Sequence, residues 1–199
     1  AIGFYNSGPE SGASQPRRHM QLIPAASLDA AHAHLGADLP PVGVQTLISK
    51  YRQHHDWMVD PGAPFRLPDY RFRHAVCLNG LDVSRMSINV AAAQLHRYYL
   101  GLLDVVSSAD DEQIGFHSSG SAAPTATDPG YNAAYYPESY NLLMSTNWMI
   151  VVPRSQSQWG GLAINSLGYA GLILVKPETA AQFRAAGDPM NVLRSCGVP

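Results

Sequence analysis

The run Gly12-Ala13-Ser14-Gln15, followed after Pro16 by Arg17, Arg18, His19, Met20 and Gln21, combines groups suited to chemistry on phosphate. Small residues let backbone amides approach an anion closely, and Ser14 and Gln15 can hydrogen-bond phosphate oxygens. His19 is a candidate nucleophile or proton carrier, because an imidazole with an ordinary pKa of about 6.5 is mostly neutral at pH 7. Residues 19 to 23 alternate in polarity, so a strand puts His19 and Gln21 on one face and Met20 and Leu22 on the other. On spacing alone, the plainer reading of a loop followed by a partly buried histidine has more in its favour.

The other histidines carry less. His32 and His34 form an HxH pair in an alanine-rich stretch, and His54 and His55 sit at an expected helix end. Neither pair has the cysteine, carboxylate or third histidine at useful spacing that a metal site requires, so surface histidines are the expectation and no metal site is assigned. His74, His96 and His117 are isolated, with His96 placed on the polar flank of a helix. Asp110-Asp111-Glu112 reads as a solvated loop. Trp148 and Trp159 have rings able to stack on a base, although core packing is the default for Trp148 in a hairpin.

These residues need elements to hold them. Ala1 to Tyr5 reads as part of a strand that runs directly into the loop Asn6 to Pro16. That fits either a longer polypeptide upstream or a chain that starts with its first strand after removal of Met. The apolar spacing of Val44, Leu47, Ile48 and Tyr51 predicts an amphipathic helix over 43–57, following Pro40-Pro41. A stronger helix is predicted over roughly 85–106, where Ile88, Ala91, Ala92, Leu95, Tyr98, Tyr99, Leu102, Leu103 and Val106 form one stripe. Tyr70 to Leu78 favours a strand. Residues 107 to 137 read as a long connection, either a functional lid or a crossover. Ser139–Ser145 and Trp148–Pro153 flank Thr146-Asn147 as a tight hairpin. A strand from Ala170 to Val175 is expected after the Asn165–Gly168 turn, then a helix opened by Pro177 and running to about Ala186. Strands and helices mix without regular βαβ alternation, which selects the α+β class and one domain over residues 1–199.

Composition supports one core and excludes some partners. The chain has 199 residues, 46% hydrophobic, and only 14% charged against about 25% in an ordinary soluble domain. Its 13 basic and 15 acidic residues nearly cancel, and Arg17-Arg18 is the only basic pair, which argues against nucleic acid and membrane surfaces as partners. Lysine occurs only at 50 and 176, so a well-placed one stands out. Two distant cysteines without CxxC spacing suit a reducing compartment. No run approaches the 18 or so apolar residues of a membrane span and no signal peptide is visible, which suggests a cytoplasmic location.

Four blocks taken together carry a resemblance: Asn6 to Gln15, His19-Met-Gln21, Tyr140 to Arg154, and Ile164 to Lys176. Their order and spacing resemble the diadenosine tetraphosphate phosphorylases, also called ATP adenylyltransferases, a branch of the histidine triad superfamily. The resemblance is specific at both ends of the chain and weak between about residues 25 and 135. It implies a histidine-triad-like antiparallel sheet with packed helices. In the family's HxHxQ triad the middle histidine attacks the α-phosphorus and becomes adenylylated. His19 holds that position and Gln21 the last. The resemblance further assigns substrate contacts to Asn6, Gly12, Ala13, Ser14, Gln15, Asn165, Ser166, Leu167, Leu172 and Lys176.

The implied reaction cleaves diadenosine tetraphosphate with phosphate to ATP and ADP, with a divalent cation, Mg2+, arriving on the nucleotide because no carboxylate cluster is visible to hold one. Arg17 stands where the family usually has the first histidine, and its planar fork suits phosphate. Family members carry a further segment before the motif, including a phosphate-contacting lysine and serines, that this sequence lacks. It is expected to have been cleaved, to be a separate chain, or to be missing from an incomplete form. Two other functions stay open: hydrolysis of dinucleoside polyphosphates, and nucleotide binding without turnover.

Overall fold

The computed structural model describes residues 1–15, 17–24, 26–27, 43–55, 60–82, 84–108 and 136–199. Pro16, the His32/His34 pair, Pro40-Pro41, the last residues expected for the first helix, the acidic triplet 110–112, His117 and most of the 107–137 connection lie outside them.

An antiparallel five-stranded sheet organises the fold. Its strands are β1 (Ile2–Ser7), β2 (Met20–Ile23), β3 (Ala75–Leu78), β4 (Tyr140–Met144) and β5 (Trp148–Pro153), in the spatial order β2-β1-β4-β5-β3. The hairpin around Thr146-Asn147 forms as expected: Leu142 opposes Val151, Leu143 opposes Ile150, and Ser145 Oγ accepts from the amides of Asn147 and Trp148. A two-stranded ribbon, β6 (Gln158–Trp159) and β7 (Leu162–Ala163), follows.

Both faces of the sheet are apolar, which makes a third layer necessary. One face carries Ile2, Phe4, Leu143, Ile150, Val152 and Val76, and packs with Val44 and Ile48 of α1 (Gly43–His55). Tyr169 and Ala170 of α3 (Ser166–Ala170) join the same cluster, as do Val192 and Leu193 of α5 (Pro189–Cys196). Between them, α4 (Ala180–Ala185) continues the turn opened by Pro177, in agreement with the expected closing helix. The opposite face carries Ala75, Cys77, Leu142, Met149 and Val151 against α2 (Ile88–Ser107). Ser87 caps α2 by accepting from the amide of Val90. Trp148, expected in the core, is fully buried, with its indole N–H on Gln45.

Three expectations are corrected. The α2 stripe is buried mostly over its C-terminal half: Leu100, Leu102, Leu103 and Val106 are buried, whereas nearer the N-terminus Ala91 is buried but Ile88 is 86% exposed. A 20-residue helix is about 30 Å long and a four-residue strand about 13 Å, so β3 cannot cover it all. The strand expected over Tyr70–Leu78 is confined to Ala75–Leu78, because Arg73 gives its amide to Val198 and Tyr70 its amide to Leu67. The strand expected over Ala170–Val175 is absent. Asn165 caps a short helix there, accepting from Leu167 N, and Gly171 ends it at φ +101°, a left-handed position that favours glycine.

His74 belongs to this frame. It is 1% exposed, its Nδ1–H donates to Phe72 O and its Nε2 accepts from Leu67 N at 2.8 Å. Burial pushes its pKa down to about 4, assisted by Arg66 and opposed by the Phe72 bond. A histidine that stays neutral when folded but protonates at its usual 6.5 when unfolded stabilises the fold above pH 6.5 and loses that contribution as pH falls to about 4. We predict that the unfolding free energy from urea titrations falls by up to about 3 kcal/mol across this window. His74→Leu should cost about 1–3 kcal/mol at pH 7 by orphaning Leu67 N–H, and should flatten the pH dependence.

Candidate functional site

The site grows from a buried arginine. Arg154 follows the all-apolar strand β5, is 5% exposed, and among the described residues has no carboxylate within ion-pair distance. Its Nε donates to Cys196 O at 3.0 Å, one Nη to Ser11 O at 3.2 Å and to Asn141 Oδ1, and the other to Gln156 O at 2.6 Å and Ile164 O at 3.0 Å. All five N–H groups therefore have acceptors. The guanidinium also lies 5.0 Å over the Tyr169 ring. One side chain thereby joins the loop after β1, strand β4, the turn before α3 and the end of α5.

Asn141 passes this constraint on. Its Nδ2 donates to Asn6 Oδ1 at 2.8 Å and to Ser11 O at 2.9 Å. Asn6 Oδ1 also accepts from the backbone amide of Ser166 at 3.1 Å and from the Ser166 hydroxyl. With the N–H donors of Asn141 and Ser166 on its oxygen, Asn6 has its Nδ2 left for other partners. Gly12 fits the same junction tightly. At φ +77°, a Cβ there would stand 2.5 Å from Ile164 O, so only glycine lets the loop lie against Asn165.

His19 immediately precedes the edge strand β2. Gln21 opposes Phe4 and Met20 opposes Tyr5, so His19 and Gln21 share the sheet face of Phe4 and Asn6. His19 Nδ1 lies 2.9 Å from Arg17 O, and Gln21 Nε2 lies 3.0 Å from His19 Nε2. A carbonyl only accepts, so Nδ1 carries the hydrogen, and Nε2 presents its lone pair to the Gln21 amide. The contact from residue 17 comes from the main chain. Arg17 and Arg18 are exposed and precede β2 without joining its ladder, so the strand does not extend back to bring 17, 19 and 21 into one row.

A cleft of about 600 Å³ opens beside this histidine, lined by Asn6, Ala13, Ser14, Gln15, Arg17, Arg18 and Glu138 among others. His19 and Gln21 lie outside its lining, joined to it through the bond to Arg17. The structure thus brings Asn6, Gly12, Asn165 and Ser166 together, and Ala13, Ser14, Gln15 and Arg17 onto one cleft. Ser166 is fully buried, and the one hydrogen of its hydroxyl is shared between Tyr5 O and Asn6 Oδ1. Leu167 and Leu172 are half-buried and linked by the Leu172 N to Leu167 O bond. Lys176 is exposed at the start of the Pro177–Thr179 turn, and no contact joins it to the rest among the described residues.

Sequence reading assigned no role to Arg154, Asn141 or Glu138. The signal was an arginine directly after a six-residue apolar strand and an asparagine inside another apolar strand. Neither cysteine competes as a nucleophile, since both are buried and burial pushes the Cys77 thiol up to about 12 and raises that of Cys196.

An antiparallel α+β sheet with a histidine-glutamine pair at its edge strand, beside an arginine-bearing cleft, defines a candidate phosphate-handling domain. The chain belongs to the ATP adenylyltransferase family: residues 68–199 match the ATP adenylyltransferase C-terminal domain, and residues 1–38 match the Ap4A phosphorylase N-terminal domain. It is 28% identical over 204 residues to diadenosine 5′,5‴-P1,P4-tetraphosphate phosphorylase 2 of Saccharomyces cerevisiae, covering 98% of this chain and 52% of that protein. It is 38% identical over 66 residues to Protein APA1 of the same yeast, covering 31% of this chain and 21% of that one. The chain therefore spans about half the length of its longest-matching curated relative. In fold it resembles the crystal structures of yeast Ap4A phosphorylase Apa2 alone (TM-score 0.53, 24% identity) and in complex with AMP (TM-score 0.58, 21% identity), each match covering 100% of this chain and 56% of the other. The Apa2 complex with Ap4A gives a TM-score of 0.56 at 21% identity, over 100% of this chain and 54% of that one. The two family segments meet within one sheet, because β1 and β2 lie in the first and β4 in the second.

Replacing the arginine tests the frame. Arg154→Met leaves Gln156 O, Ile164 O and Asn141 Oδ1 without their donor, while Ser11 O keeps Asn141 Nδ2 and Cys196 O keeps Ser155 N; each unmet buried acceptor costs about 1–3 kcal/mol. We expect a stability loss of at least about 3 kcal/mol in urea unfolding.

Proposed function

We propose that the chain forms part of an enzyme that cleaves diadenosine tetraphosphate with inorganic phosphate to ATP and ADP through an adenylyl-His19 intermediate. The observation that carries this reading is the His19 geometry: Nδ1–H is held by the Arg17 carbonyl, which leaves Nε2 without a hydrogen and its lone pair on the Gln21 amide. The yeast relatives named as Ap4A phosphorylases and the Apa2 complexes with Ap4A and AMP support the substrate class.

His19 Nε2 attacks the α-phosphorus, an N–P bond forms, and the bond to the bridging oxygen breaks with ATP leaving. Phosphate oxygen then attacks the same phosphorus, the N–P bond breaks, and ADP carries the transferred AMP unit. Two displacements at one neutral imidazole divide a difficult transfer. Gln21, whose amide touches the attacking nitrogen at rest, turns that N–H onto a phosphoryl oxygen as the bond forms. Arg17, Ser14 and Gln15, along the cleft, take the outer phosphates, and Lys176 adds a point charge where longer polyphosphates reach it.

A divalent cation, Mg2+, accompanies the nucleotide in this reading. Glu138, the acidic side chain of the cleft lining, fits a cation held by one carboxylate and substrate phosphates, and when bound the ion neutralises phosphate charge. The single domain over residues 1–199 is read as the histidine-triad-like catalytic unit. Among the described residues no helix is long and apolar enough to cross a membrane, and the two free cysteines suit a cytoplasmic setting.

In the full-length protein, release of ATP and ADP from the dinucleotide should require phosphate. Release of AMP without phosphate would mean hydrolysis, and no release at all would mean binding alone. We predict that His19→Ala abolishes turnover and leaves ATP affinity within about tenfold, or 1.4 kcal/mol. Arg17→His keeps the main-chain bond to His19 but removes a charge-assisted contact, so ATP binding should weaken by about 1.5–3 kcal/mol in calorimetric titration. Unchanged affinity would place the guanidinium in solvent.

A further inference from the structure

The polarity of the Arg154 network reaches the cleft. A guanidinium has donors only, so the Asn141 oxygen must face it, and the Asn141 amide nitrogen must then face outward. That nitrogen meets Asn6, whose oxygen must accept it. The backbone amide of Ser166, a donor only, holds the same oxygen from the other side. Asn6 lines the cleft, and its remaining group is the Nδ2 donor.

We infer that Asn141 is a positioning residue, which relays the donor-only character of Arg154 to Asn6 and makes Asn6 an obligate hydrogen-bond donor to the ligand. The ligand atom at Asn6 is an acceptor, a phosphate or ribose oxygen of a nucleotide. This rests on reading the cleft as a nucleotide site. Asn141 is fully buried and sits opposite Asn6 in the ladder between β1 and β4, so it acts only through its neighbour. A rotated Asn6 amide would set NH2 against the Ser166 and Asn141 donors, and the preformed orientation spares the ligand that ordering cost.

The test uses the full-length protein with AMP as probe. Asn141→Asp keeps an acceptor for Arg154 but offers Asn6 no donor. Its dissociation constant for AMP should rise about tenfold, as should that of Asn6→Ala, while the double variant should bind no worse than Asn6→Ala alone. Wild-type affinity in Asn141→Asp, or multiplied losses in the double variant, would overturn the relay. A ligand-independent arm covers variants that fail to fold and a wild-type protein that does not bind AMP. In the unliganded wild type, NMR should show a through-hydrogen-bond coupling from Asn141 Nδ2 to Asn6 Cγ, and its absence would overturn the relay. Failure of AMP binding with that coupling present would contradict the functional reading and leave the relay standing.

Discussion

The fold depends on how one buried guanidinium is satisfied by neutral oxygens. An isolated buried charge is costly, and here five N–H groups meet four backbone carbonyls and one side-chain amide from distant parts of the chain. Because a guanidinium only donates, every partner must present oxygen to it, and that fixes the backbone path of the Ser11 turn, of Gln156 and of Ile164. The loop that carries Gly12 to Gln15 is thereby set against the cap of α3. A lysine there would have three donors on a flexible stem and could not hold so many acceptors in one plane.

The second constraint is on the edge strand. His19 is oriented by a backbone carbonyl, a group that no substitution at residue 17 removes unless it moves the chain. This explains why an arginine can stand where the family usually has a histidine. In the proposed function the side chain, released from orienting its neighbour, serves the cleft whose lining it joins. The exposed Met20 and Leu22 lie on the opposite side of β2, so strand alternation alone separates them from His19 and Gln21.

Much of this was legible because it follows short-range periodicity. The period of two placed His19 with Gln21, the spacing from Leu102 to Val106 gave the buried part of α2, and Thr146-Asn147 gave the hairpin. The run Ala170 to Val175 misled: Ala170 closes the short helix capped by Asn165, Gly171 turns the chain at φ +101°, and the apolar residues 172–175 beyond it join no strand. Helix α5 had a local signal in Asp188-Pro189, where the Asp188 carboxylate accepts from Met190 N, but its length of eight residues is too short for clear periodicity. The Arg154 relay was illegible for another reason. Its acceptors are mostly main-chain carbonyls, which every residue has, and only the fold selects which of them converge.

The account turns on His19 Nε2 as the atom that receives the nucleotide. The direct measurement is to mix full-length protein with diadenosine tetraphosphate labelled at the phosphates next to adenosine, without inorganic phosphate, and to map the label after denaturation. The account predicts an acid-labile, base-stable AMP adduct on the peptide containing His19, discharged as ADP when phosphate is added to the folded protein. Label on another residue, or products released with no protein-bound label at any time, would contradict it.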